Sequence, residues 1–184
     1  MSAELEIRNH LVSGEYIIWS GIPKQGVLFR PSDIYLIPFS LLWCGFAIFW
    51  EVIVLKEGAL SCFALFGVPF ILIGIYFVLG RFFVDAWLRA KTHYGLTNRR
   101  VIIVSGIISR TVESLNLKTL REISVQDRGD HIGTIMFGRP HPFASWYGGM
   151  QWPGMGQYKT PSFDFIQDAK LVHDKIIEAQ SSAA

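Results

Sequence analysis

Two long apolar stretches, parted only by Lys56, Glu57 and Gly58, limit what this 184-residue chain can become. The first runs from Ile34 to Leu55 with one charge, Glu51; the second runs from Ala59 to Leu79 with none. A helix needs roughly 20 mainly apolar residues to cross the hydrocarbon core of a bilayer, and both stretches have that length. A three-residue connection turns consecutive helices antiparallel, so the spacing predicts a membrane α-helical hairpin. The 51% hydrophobic content then belongs to these spans rather than to a large soluble core. The expected layout is an N-terminal arm over 1–33, helices over 34–55 and 59–80 joined by an outer turn at 56–58, a basic juxtamembrane helix over 81–91, a folded domain over 92–180 and a disordered tail at 181–184.

Orientation follows from Lys and Arg near the membrane ends. Arg81, Arg89, Lys91, Arg99 and Arg100 are opposed between 81 and 100 only by Asp85, whereas the hairpin tip holds Lys56 beside Glu57. Both termini and the folded domain are therefore expected in the cytoplasm. No apolar segment precedes Ile34, so the first span is expected to act as its own insertion signal. Residues 101–184 carry eight bases and eight acids, so the excess positive charge sits beneath the membrane. Arg89, Lys91, Arg99 and Arg100 are candidates for anionic lipid headgroups, which attract such residues by up to roughly 1 kcal/mol each. The plainer reading is that they only set topology.

Within the hairpin, Ser40, Cys44, Ala47 and Glu51 share one helical face, and Ser61, Ala64, Gly67 and Gly74 make a small-residue face on the second helix. Such faces let membrane helices approach closely, against each other or against another subunit. Glu51 is the one charge inside a span and reads as snorkelling to the tip or packing there, with an ion or proton-relay role as the alternative. Cys44 and Cys62 differ in depth by about 12 Å at helical rise, too far for a disulfide. Pro69 is expected to kink the second span.

After Thr92 the period changes. Tyr94–Thr97, Asn98-Arg99 and Arg100–Val104 read as strand, turn and strand; Arg110–Leu117 continues extended. Ile123 and Val125 alternate with Ser124 and Gln126, Ile135 and Phe137 with Thr134 and Met136, and Phe163 and Phe165 are expected on one face of a last strand. Ala169, Val172, Ile176 and Ala179 then form an amphipathic helical stripe, with Asp164 or Asp168 as its N-cap.

The run Tyr94-Gly95-Leu96-Thr97-Asn98-Arg99-Arg100-Val101-Ile102-Ile103 followed by Gly106 resembles the signature of bacterial pleckstrin-homology-like (PH-like) membrane proteins, where such a hairpin follows a pair of spans. Glu15-Tyr16-Ile17-Ile18-Trp19 before Gly21 and Pro23, Gly133-Thr134-Ile135, and the closing Phe163-Asp164-Phe165-Ile166 with its helix match the same pattern, from about Glu15 to Ala179. The resemblance implies a mainly-β PH-like domain: two nearly orthogonal antiparallel sheets as a split barrel, capped by a C-terminal helix. It also suggests a phosphate at Arg99 and Arg100, as basic residues of the first hairpin hold one in lipid-binding PH domains. An exposed turn is the simpler account. The chain departs from the pattern over 138–160, a run rich in Gly, Pro and aromatics. Trp146, Tyr147, Met150 and Trp152 are candidates there for a partner-binding loop; a further barrel strand with core aromatics is the other reading.

No motif for chemistry stands out. His10, His93, His131, His141 and His173 lack metal-ligand spacing, and there is no phosphate loop, dinucleotide fingerprint or nucleophile elbow. His131 with Asp127 and Asp130 fits a turn better than an acid–base pair. The expectation is a non-enzymatic protein of a bacterial inner membrane, without cofactor or metal. Its PH-like domain would bind another membrane protein or a second copy of itself, or alternatively anionic lipid headgroups, and not nucleic acid.

Overall fold

A computed structural model describes residues 3–58, 61–106, 110–129, 131–139 and 160–183. The chain divides into two compact units. One gathers the described residues of 1–26, 86–144 and 156–184; the other contains Val27–Asp85.

The first unit holds seven antiparallel strands in two sheets. β1 (Ile17–Gly21), β2 (His93–Thr97), β3 (Arg100–Ser105) and β4 (Thr111–Asn116) are neighbours in that order; β5 (Ile123–Asp127), β6 (Ile132–Phe137) and β7 (Ser162–Gln167) make the second sheet. Thus Ile17–Gly21, from the segment expected as an N-terminal arm, is hydrogen-bonded into the strand domain, with Trp19 opposite Leu96 and Gly21 opposite Tyr94. A short helix, α1 (Ala3–Arg8), joins it.

That helix accounts for the unbroken apolar run in β3. Successive strand residues point to opposite faces, so four apolar residues in a row need cover on both. Val101 and Ile103 enter the main core, while Ile102 and Val104 pack on Ile7 of α1. Gly95, opposite Ile102, makes this approach possible: a Cβ there would lie 2.6 Å from Cγ2 of Ile7.

The main core centres on Phe163, whose ring meets Trp19, Tyr94 and Phe137 at centroid distances of 5.4, 4.7 and 5.0 Å. The C-terminal helix, α5 (Ala169–Ala183), closes over it with the predicted stripe of Ala169, Val172, Ile176 and Ala179, all buried. Gln180 Nε2 donates to the carbonyls of Leu117 and Leu120, tying α5 to the link between the sheets. One of the two alternative caps is corrected here. Asp164 lies within β7, accepting from Ser162 Oγ, whereas Asp168 stands directly before the helix, with φ of 49°, and its carbonyl accepts from the Val172 N–H. Phe163 and Phe165 do not share the expected face. Phe165 adopts a left-handed φ of 52° where the β6–β7 register shifts, and Ile166 enters the core instead.

The second unit contains α2 (Asp33–Lys56), α3 (Ser61–Ile75), a π-helical turn at Tyr76–Gly80, and the start of α4 (Arg81–Ala90). Asp33–Lys56 and Leu65–Ala90 are each long and apolar enough to cross a membrane. α3 runs on through Pro69, and the change of helical ladder comes at the π-turn. α2 and α3 pack antiparallel, with Cys44 against Gly74 and Glu51 against Gly67. A Cβ on Gly74 would sit 3.0 Å from the Cα of Cys44, so the helices meet there nearly backbone to backbone. Ser40, Ala47 and Glu51 are buried and Cys44 is half-buried, whereas Leu42, Phe46 and Phe49 on the same helix are largely exposed. Glu51 therefore packs inward against α3, and its Oε2 has no hydrogen-bond partner among the described residues. The side chains of Ser61, Cys62 and Ala64 lie outside the described residues.

Candidate functional site

Arg100 is the centre of a polar cluster in the strand domain. Its Nε donates to Glu15 Oε1 and its Nη2 to Glu15 Oε2, both at 2.9 Å, with Nη2 also reaching the His10 carbonyl and Nη1 reaching Ser114 Oγ. Thr97 Oγ1 donates to Glu15 Oε1 at 2.7 Å and accepts from the backbone N–H groups of Arg99 and Arg100, which shapes the Asn98-Arg99 turn. The Val12 N–H completes the ring around Glu15, whose side chain is only 1% exposed. Burial alone would raise the Glu15 pKa, but the hydrogen bonds from Arg100, Val12 and Thr97 and the Arg100 charge outweigh it and lower the value to about 2. The hydrogen bonds to Glu15 and its charge raise that of Arg100 against the opposing effect of burial. The cluster staples the segment before β1 onto the β2–β3 turn.

A second cluster surrounds Phe165. Its ring lies under the Arg128 guanidinium at 4.8 Å and the Arg89 guanidinium at 5.6 Å, and its carbonyl accepts from the Lys24 N–H at 2.8 Å. Arg89 is buried and donates to the carbonyls of Lys24 and Gly26. On β2, burial lowers the pKa of His93, opposed by the Glu6 charge and aided by Arg110.

The four basic residues singled out in the sequence do not form one patch. Arg100 is bound to Glu15, and Arg89 is turned inward to backbone carbonyls. Lys91 and Arg99 are exposed, but they lie beyond opposite ends of β2, whose five residues span roughly 16 Å at 3.3 Å each. Nor is Asn98-Arg99 the sheet's first hairpin, because β1 precedes β2; the first connection is 22–92, which carries both apolar helices. Trp146, Tyr147, Met150 and Trp152 lie outside the described residues.

The helical unit adds a charge network that the sequence reading missed. Arg81 Nη1 lies 2.9 Å from Asp33 Oδ1, and Arg30 Nη2 lies 2.8 Å from Asp85 Oδ1; Asp33 Oδ2 also accepts from the Arg30 N–H. Arg81, Asp33 and Asp85 are each less than one-tenth exposed. The signal was present in sequence as opposite charges flanking the two apolar stretches, but counting only bases hid the pairing.

His131 and Asp168, with φ of 57° and 49°, line a small hollow of about 170 Å³ together with Asp127 and Lys170. The His131 side chain is 90% exposed and its Nδ1 lies 3.6 Å from Asp168 Oδ1, an open surface pair. Among the described residues no three His, Cys, Asp or Glu side chains group as metal ligands.

Residues 52–157 match the family model described as "Bacterial PH domain", a stretch from the end of α2 through β6 and beyond. No curated protein and no solved structure matches the chain.

Proposed function

Since the chain belongs to the bacterial PH domain family, we propose that it is a non-enzymatic binding module built around its own membrane anchor. PH-like domains are usually non-catalytic binding modules, and a fold of this kind serves several classes of ligand. In this reading Asp33–Lys56 and the helix from Ser61 form a hairpin across a bacterial inner membrane, with both termini and the strand domain on the cytoplasmic side. The layout is then that of the sequence, with β1 added to the domain and α5 carrying it on to Ala183 in place of the tail expected from 181. The two sheets close as a split barrel capped by α5. The domain binds a protein partner at the membrane surface, either another membrane protein or a second copy of this chain.

One observation carries the reading: both apolar helices lie in the connection between β1 and β2, which are hydrogen-bonded neighbours. The domain cannot fold without returning its chain from the anchor, so its ligand is met next to the membrane. The inside-out burial of α2, with Ser40 and Glu51 inward and Leu42, Phe46 and Phe49 outward, supports immersion in lipid. The partner surface proposed from sequence is the loop bearing Trp146, Tyr147, Met150 and Trp152. The alternative ligand, an anionic headgroup, is left with Lys91 and Arg99 as exposed candidates, because Arg89 and Arg100 have internal partners.

Crosslinking full-length protein in its native membrane, then purifying it in mild detergent, tests the proposal. A stoichiometric protein partner or a defined homo-oligomer is expected, lost on Trp146→Ala with Trp152→Ala while Lys91→Glu with Arg99→Glu retains it. A monomer carrying tightly bound anionic lipid, released by the charge-reversal pair, would overturn protein binding in favour of the headgroup reading.

A further inference from the structure

α4 is amphipathic in the wrong sense for a helix in water. Arg81, Asp85 and Arg89, spaced i, i+4 and i+8, form its charged edge, and all three are less than one-tenth exposed. Each charge is met from within its own unit: Arg81 by Asp33, Asp85 by Arg30, and Arg89 by the carbonyls of Lys24 and Gly26. The opposite edge presents Phe83, 68% exposed, and Trp87, 54% exposed, one turn apart. In water this arrangement is unfavourable twice over. It desolvates three charges and leaves two large aromatic rings uncovered. In lipid both signs reverse, since charges must be paired inside and apolar rings belong outside.

The length of the helix places this surface. Leu65–Ala90 spans 26 residues, about 39 Å at helical rise, against a hydrocarbon core of about 30 Å. The Arg81–Asp33 pair joins the end of one apolar stretch to the start of the other, marking where the core stops. The residues after Arg81 therefore fall at the depth of the headgroups, where tryptophan and amphipathic helices are favoured.

We infer that α4 lies in the headgroup layer of the cytoplasmic leaflet, with Phe83 and Trp87 turned into lipid, and is not a cytoplasmic linker. Lipid is the occupant that continuity with the apolar helix selects, and the paired charged edge leaves the aromatic edge as the surface that binds. The inference rests on the membrane reading above and adds which face touches the bilayer.

Nitroxide labels on full-length protein in liposomes test it. Cys44 and Cys62 are first replaced by alanine, and single cysteines are placed at Phe83→Cys, Trp87→Cys, Leu72→Cys on the exposed side of α3, and Leu171→Cys on the exposed side of α5. The labels at 83 and 87 should collide with dissolved oxygen and be shielded from a water-soluble nickel chelate, as at Leu72 and unlike Leu171. Chelate collisions at 83 and 87 equal to those at 171, with 72 still shielded, would overturn the inference and leave the spans intact. Shielding from both reagents would also overturn it, by showing a protein cover. Chelate access at 72 as well would instead remove the membrane reading itself.

Discussion

Phe163→Ala should strip the strand domain of its stable core while leaving α2 and α3 packed. Phe163 is fully buried and its ring meets Trp19 of β1, Tyr94 of β2 and Phe137 of β6, so one side chain joins the two sheets. Removing a buried phenylalanine costs about 3–5 kcal/mol through lost transfer energy and an unfilled cavity. The Phe163 backbone sits opposite Ile135 in the β6–β7 ladder, so the damage should appear first there. Hydrogen exchange of the full-length protein in detergent should show amides of β6 and β7 exchanging roughly a hundredfold faster or more, at about 1.4 kcal/mol per tenfold. Protection in α2 and α3 should be unchanged, because Phe163 has no part in that unit. Unchanged exchange in β6 and β7 would mean the rings are not the core they form in this structure.

The second large effect is expected at Glu15. Its carboxylate is buried and held at a pKa of about 2 against an ordinary 4.5, a difference worth about 3 kcal/mol of folding stability at neutral pH. A depressed folded-state pKa means that this contribution is complete above the ordinary carboxylate range. It is then lost as pH falls from about 4.5 through about 2. Glu15→Gln should therefore lower the stability of the β1–β2–β3 region by about 3 kcal/mol at pH 7, since it leaves Arg100 without its ion pair. The penalty should shrink toward zero as pH falls through about 2, where the wild-type carboxyl becomes protonated as well. Protection of the Tyr94–Thr97 amides, measured for both proteins between pH 7 and the acid limit, checks both size and sign. A penalty independent of pH would show that Glu15 acts by packing and not by charge.

Several parts of the fold were legible because their residues repeat with a physical period. The alternation of Ile123 and Val125 with Ser124 and Gln126 marked β5, and the Ala169, Val172, Ile176 and Ala179 stripe marked α5. Thr97-Asn98-Arg99-Arg100 marked a turn whose hydroxyl caps two backbone N–H groups. The N-terminal contribution was harder to see. α1 is six residues long, too short to show a helical period, although the run Val101–Val104 already required cover on both faces of β3. Phe165 was misplaced because a left-handed residue breaks the period of two, and nothing in Phe-Asp-Phe-Ile announces one.

The candidate site was less legible than the fold. A tally of positive charge put Arg89, Lys91, Arg99 and Arg100 together, but adjacency along a chain that alternates between faces is not adjacency in space. Glu15 claims Arg100 from 85 residues away, and Asp33 meets Arg81 across the intervening helices. Such pairs are invisible to spacing because the strand and helix contacts that create them are long-range.

The most direct test of the whole account is the sidedness of the full-length protein in intact cells. With Cys44 and Cys62 replaced by alanine, single cysteines at Lys56→Cys, Arg99→Cys and Leu171→Cys are exposed to a membrane-impermeant maleimide. A domain held on the cytoplasmic face by a membrane hairpin predicts labelling of position 56 in intact cells, and of 99 and 171 only after permeabilisation. Labelling of 99 and 171 from outside, or equal labelling of all three in soluble extract, would contradict it.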